Sequence, residues 1–151
     1  MKKPALLLLL ACVCAALVGG CSNLAPAFTG LTASLAKLER EAGGTVTATV
    51  RYANPNLAAY NVGKAVHRVT LDGAPAGTLT VARPFGIPPQ ANVEQKAELK
   101  LEGAGAAAVA AALARGSASF RLESTLTFQL LGDNREVIKS SSGGTVPVTA
   151  N

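Results

Sequence analysis

The sequence predicts a mainly β domain: two antiparallel sheets packed face to face as a sandwich, with one short alanine-rich helix. Three observations predict it. Runs of eight to thirteen residues alternate apolar and polar at period two, which gives each strand one core face and one solvent face. Turn-forming Gly, Pro, Asn and Asp separate those runs. A single alanine block, bracketed by Gly103 and Gly116, interrupts the alternation. Strands with one polar face each are buried most simply by a second sheet.

Along the chain, Phe28–Glu41 comes first. Phe28, Leu31, Leu35 and Leu38 follow a helical rhythm, and Gly43-Gly44 would end a helix well. Thr45–Tyr52 alternates cleanly, with Val46, Ala48, Val50 and Tyr52 on one face. Val69–Leu71 and Leu79–Val81 are shorter strands joined across Asp72-Gly73-Ala74-Pro75 as a hairpin. Asn92–Glu102 sets Val93, Ala97, Leu99 and Leu101 against a ladder of Glu94, Lys96, Glu98, Lys100 and Glu102. Ala104–Arg115 is the helix: alanine has the highest helix propensity, Val109 and Leu113 share a face, and Gly116 suits the position after the last turn. Ala118–Leu130 puts Ala118, Phe120, Leu122, Leu126, Phe128 and Leu130 on its apolar face. Val137-Ile138 and Val146–Val148 close the chain as two short strands separated by Ser140-Ser141-Ser142-Gly143-Gly144.

The N-terminus is organised differently. Lys2 and Lys3 precede a nearly unbroken apolar run from Ala5 to Val18, then Gly19, Gly20 and Cys21. A basic start, a short apolar stretch and small residues before a cut site make a secretory signal. The run falls short of the ~18–20 residues that span a bilayer as a helix. Leu17-Val18-Gly19-Gly20-Cys21 resembles the lipobox of bacterial lipoproteins. That resemblance implies cleavage between Gly20 and Cys21 and acylation of the Cys21 thiol. Residues 1–20 are then the signal, 21–27 a lipidated tether, and 28–151 one domain of ordinary size. Ser22 after the cysteine resembles the default outer-membrane sorting signal. The expected location is therefore the cell envelope, lipid-anchored, on the periplasmic face of the outer membrane if the organism has two membranes.

Composition narrows the function classes. The 151 residues are 49% hydrophobic and 15% charged, with three cysteines, which excludes a disordered chain and a disulfide-built scaffold. Cys12 and Cys14 leave with the signal, and the formal charge falls from +5 to +3 as Lys2 and Lys3 go. The remaining basic residues are scattered, so no nucleic-acid partner is expected.

Asn54-Pro55-Asn56 ends the strand after Tyr52: Pro55 offers no amide hydrogen, and the Asn54 side chain can accept one from two residues on. In its setting this motif is more specific. An apolar strand, Asn-Pro-Asn, then Val62, Val66 and Val69, then Leu71-Asp72-Gly73, Leu79, Ile87-Pro88 and Val93 is similar to the late embryogenesis abundant type 2 family, also called the water stress and hypersensitive response domain. The resemblance covers about Leu31 to Thr149. It implies a fibronectin-III/immunoglobulin-like sandwich, a strand rather than a helix over Leu31–Glu39, and a non-enzymatic protective role in desiccation or water stress. Tyr52, Ala53 and the plain Leu57-Ala58-Ala59 depart from the family pattern.

Nothing in the chain assembles a catalytic centre. His67 is the only histidine, which excludes multi-histidine metal sites and points to a sheet residue beside Val69 and Leu71. Glu94 and Glu98 are four residues apart on a strand, ~13 Å, too far for a glycosidase pair. Asp72 and Asp133 sit in turns, and no serine stands in a Gly-x-Ser-x-Gly setting. No enzyme activity, cofactor or metal is expected. The alternative to a protective role is a peptide-, lipid- or protein-binding assembly module of the envelope. Its candidate interaction loop is Arg83, Pro84, Phe85, Gly86, Ile87 and Pro88, with Phe85 expected to cap the core. The oligomeric state is open.

Overall fold

A computed structural model describes residues 30–130 and 134–151. The signal, Cys21, the tether, Phe28 and Asp133 lie outside the described residues. The chain runs β1 (Thr32–Arg40), β2 (Val46–Asn54), β3 (Tyr60–Leu71), β4 (Ala74–Val81), β5 (Phe85–Ile87), β6 (Ala91–Leu101), α1 (Gly105–Arg115), β7 (Ser117–Gln129) and β8 (Arg135–Ala150). No helix among the described residues is long and apolar enough to cross a membrane.

The sandwich expectation is overturned by the strand pairing. The order β4-β6-β2-β1-β8-β7-β3 closes on itself through a β3–β4 ladder, giving a seven-stranded barrel with β5 appended to β3. Two narrow seams make the closure. β4 meets β6 at Gly77–Leu79 against Leu99–Leu101, and β1 meets β8, in parallel, at Leu38–Arg40 against Val148–Ala150. The other ladders of the seven barrel strands are longer and antiparallel, such as β7 with β8 from Ser117↔Pro147 to Gln129↔Arg135. Period-two alternation is identical in a sandwich and a barrel, because each buries one face of every strand. What differs is whether the edge strands find partners, and here they do.

Thr32–Arg40 is a strand, which explains its helical rhythm. A β-bulge between Leu35 and Lys37 inserts one residue into the ladder with β2, so Leu31, Leu35 and Leu38 all point inward at spacings of four and three. A bulge adds the residue that a strict strand pattern lacks. Leu38 is fully buried.

The two terminal strands expected from Val137-Ile138 and Val146–Val148 are one strand of 16 residues. Ser140–Gly144 does not separate them. A Cβ on Gly143 would lie 3.1 Å from the Phe120 carbonyl oxygen, and one on Gly144 would lie 3.3 Å from the Phe120 ring. These glycines make room for Phe120 rather than for a turn.

The core runs the length of the barrel, from Leu31, Tyr52 and Ile87 at one end to Leu71, Ala76 and Val109 at the other. α1 closes the second end. Val109 and Ala112 are buried there, and Gly105 packs so tightly on β4 that a Cβ would sit 1.9 Å from the Ala76 carbonyl oxygen. Gly116 ends the helix in the left-handed conformation (φ 71°) and donates its N–H to the Leu113 carbonyl. Arg115 in the last turn favours the helix dipole and pairs with Asp72 in the β3–β4 turn, whose carboxylate also accepts the Ser119 N–H and hydroxyl at 2.9 Å each. Those Ser119 hydrogen bonds, with the Arg115 charge, lower the Asp72 pKa.

Candidate functional site

The barrel interior contains a polar row. Tyr52 reaches across from β2 to His67 on β3, Oη to Nε2 at 2.7 Å, and His67 Nδ1 meets Ser124 Oγ of β7 at 2.8 Å. His67 and Ser124 are register partners in the β3–β7 ladder. All three side chains fall on inward positions of their strands and are buried. Burial drives the His67 pKa down to about 4 and pushes the Tyr52 phenol well up, since a low-dielectric interior disfavours either charge. At neutral pH the row is therefore uncharged, with the imidazole as its central donor and acceptor.

A serine hydrogen-bonded to a histidine has the nucleophile–base geometry of acyl-transfer enzymes. Here the third member is a neutral phenol instead of a carboxylate, and the serine is sealed inside. Ser124 is 3% exposed, and its hydroxyl is turned toward His67 instead of outward. A recess of about 720 Å³ lies over β3, β7 and β8, lined by Val66, Arg68, Glu123, Thr125 and Lys139 and, at its floor, by Ser124 itself. The row does structural work: it ties opposite walls of the barrel together with every buried partner matched.

Sequence reasoning missed this row, although its signal was present. Ser124 stands at the inward phase of an otherwise apolar set, between Leu122 and Leu126, and His67 does the same between Ala65 and Val69. Two polar residues at core phase on strands that pair is the trace such a row leaves.

At the end of the barrel where β1 begins, the Asn-Pro-Asn motif is a junction between two loops. Asn54 is 2% exposed. Its Oδ1 accepts the Asn56 N–H at 2.9 Å, and its Nδ2 donates to Ala58 O at 2.8 Å and to Pro88 O at 2.9 Å. The Gln90 N–H closes the same junction on Asn56 O at 3.0 Å. Pro55 is exposed, where its missing N–H breaks no ladder. One asparagine thus joins the β2–β3 loop to the Ile87-Pro88 segment.

The proposed interaction loop divides into two parts. Phe85 and Ile87 belong to β5, paired with Val62 and Tyr60; the Phe85 ring packs 4.8 Å from Tyr52 and Ile87 is fully buried. Arg83, Pro84, Gly86 and Pro88 are exposed.

On the outer face of β1, β2 and β6, Glu39 is held by Lys37 at 2.6 Å, Lys96 at 3.1 Å and the Asn151 amide at 3.0 Å. These partners, Lys37 foremost, bring its carboxyl down to about 2. Arg51 binds Glu94 through two nitrogens at 3.0 and 2.8 Å. Glu94 of β6 is thus the cross-strand partner of a cation, while Glu98 stands opposite Thr47. Among the described residues, no group of three His, Cys, Asp or Glu could hold a metal ion.

No family model matches the chain, and no curated protein matches it. Solved structures do. A protein of Arabidopsis thaliana, known from its solution structure, matches at 15% identity and a TM-score of 0.50, over 78% of this chain and 79% of its own. A protein from Archaeoglobus fulgidus matches at 14% identity and 0.42, over 78% of this chain and 94% of its own. A candidate late embryogenesis abundant protein matches at 14% identity and 0.39, over 98% of this chain and 90% of its own. The Arabidopsis likeness is one of fold.

Proposed function

We propose that this chain is a lipid-anchored envelope protein whose domain works non-enzymatically from its outer surface, protecting envelope components during water loss. One observation supports the non-enzymatic part: the one serine–histidine pair among the described residues is buried, and the second nitrogen of its imidazole is taken up by Tyr52 across the barrel. A filled barrel of this kind offers partners its surface and loops. The lipobox-like Leu17–Cys21 supports the anchor, and the Asn54–Pro55–Asn56 junction with Ile87-Pro88 supports the late embryogenesis abundant type 2 reading.

The protective role is tested by drying or freezing a fragile enzyme with the chain from Ser22 onward. Recovery of activity well above that given by an inert protein of equal mass is expected; equal recovery counts against the role. The anchor has its own test. A palmitate analogue should label the wild type and leave Cys21→Ala unlabelled.

A further inference from the structure

Large apolar side chains exposed on the barrel are unevenly distributed. Of the four among the described residues, Leu57 (81% exposed), Leu130 (42%) and Val137 (57%) lie at or near one end, and only Leu101 lies toward the other. The strand register places them together. Leu57 is in the loop before Tyr60, Leu130 follows the last residue of β7, and Val137 pairs with Thr127 two positions above the Gln129↔Arg135 pair that ends the β7–β8 ladder. β1 begins at this same end, opposite Ala53, so this is where the chain from Cys21 joins the domain.

Charge follows the same division. Exposed Lys64, Arg83 and Arg135 lie toward the end that carries the three apolar residues, as do Arg51 with its partner Glu94 and, among the described residues, Glu136. The helix end holds Glu39, Glu41, Asp72 and Glu102 beside Arg40, Lys100 and Arg115. Exposed apolar side chains at an end where cations outnumber acids match an anionic lipid interface, where the former enter the headgroup boundary and the latter meet phosphate.

We infer that the tether end of the barrel rests on the bilayer, with Leu57 inserted and Lys64, Arg83 and Arg135 against anionic headgroups. This orientation rests on the proposed lipid anchor. Eight residues separate Cys21 from Gly30, so the nine Cα–Cα steps reach at most roughly 30 Å when extended. An anchor that short holds the domain at high local concentration beside the surface, so a small patch suffices to orient it. The helix end, with Leu101, then faces away from the membrane.

The test is photocrosslinking on the full lipidated chain in vesicles of phosphatidylethanolamine and phosphatidylglycerol. Benzoylphenylalanine replaces Leu57 in one sample and Leu101 in another. Lipid adducts at position 57 should exceed those at 101 by at least about tenfold, as a short tether concentrates one end on the surface. They should fall when Lys64, Arg83 and Arg135 are all changed to Gln. Equal lipid yields at the two positions overturn the orientation, as does a defined protein adduct at 57 in place of lipid. Palmitate labelling of the wild type, with Cys21→Ala as control, is read in parallel. Labelled protein without lipid adducts at 57 defeats the orientation alone. Unlabelled wild type defeats the anchor, and the orientation with it.

Discussion

At the helix end of the barrel, backbone meets backbone. Gly105 lies against the Ala76 carbonyl with no room for a Cβ, and Asp72 gathers Arg115 and Ser119 around one carboxylate. At the tether end, closure comes from side chains and loops. Asn54 pins two loops through its amide, Phe85 packs on Tyr52, and Tyr60 packs edge-on against Phe128 at 6.0 Å. The first end depends on steric fit and, among the described residues, leaves Leu101 as its one exposed large apolar residue. The second depends on a few polar pins and aromatic contacts, and keeps Leu57, Leu130 and Val137 at its surface. A domain that must stay folded while touching a partner benefits from this division: one end carries the tight packing and the other is left for the proposed contact.

The largest expected effect falls on the helix end. Gly105→Val drives a branched side chain into the Ala76 carbonyl, so α1 must lift from β4, at a cost of about 3 kcal/mol or more. Urea unfolding should show the midpoint fall by a matching amount. A Gly105→Val protein as stable as wild type breaks the claim that steric fit closes this end.

Between the ends, the polar row sets an acid limit. His67 has a pKa of about 4 in the folded barrel against 6.5 in the unfolded chain. Between those values the unfolded chain binds the extra proton, so stability falls as pH drops through that window, by about 3 kcal/mol in all. Glu39 acts lower. Its carboxyl is brought from 4.5 to about 2, so its contribution is present above 4.5 and is lost as pH falls from there toward 2. Stability measured against pH should show both windows. The combined change Tyr52→Phe, His67→Leu, Ser124→Ala should remove the upper one and keep the lower. It should also cost less than His67→Leu alone, which leaves two buried hydroxyls unpaired. Persistence of the upper window in the triple variant assigns it elsewhere.

A smaller effect is expected at the tether end. Asn54→Ala strands the Ala58 and Pro88 carbonyls and the Asn56 amide, costing about 2 kcal/mol. Amide exchange should quicken in 55–59 and 87–90 and leave α1 unchanged. Spread of that exchange to α1 would show that the two ends are not independent. The smallest effect belongs to Leu57→Asp, which should move stability by less than about 0.5 kcal/mol because the side chain is already in solvent. The same change should abolish lipid adducts formed from a benzoylphenylalanine at Val137, which separates surface contact from folding.

Much of the architecture was legible locally. The alternation of Val46–Tyr52 and of Ala118–Phe128, the Asp72-Gly73 turn and the alanine helix ended by Gly116 each depend on neighbours in the chain. Three features misled in instructive ways. The bulge after Leu35 gave β1 a helical spacing, Gly143 and Gly144 imitated a turn while serving Phe120, and the inward Ser124 looked like a gap in an apolar face. In each case the residue answers to a partner far away in sequence, such as Phe120 or His67, which periodicity along one strand does not register.

By itself the sequence determined the alternating faces of Val46–Tyr52 and Ala118–Phe128, the turn at Asp72-Gly73 and the one helix that ends at Gly116. Those features follow from backbone propensity, side-chain alternation and short-range turn chemistry. Only the tertiary structure decided that the edges close. The parallel seam of Leu38–Arg40 with Val148–Ala150 and the short one of Gly77–Leu79 with Leu99–Leu101 join segments 110 and 22 residues apart. Whether two sheets stay a sandwich or become a barrel depends on such edge-to-edge hydrogen bonds, and the side-chain pattern of each strand is the same in both.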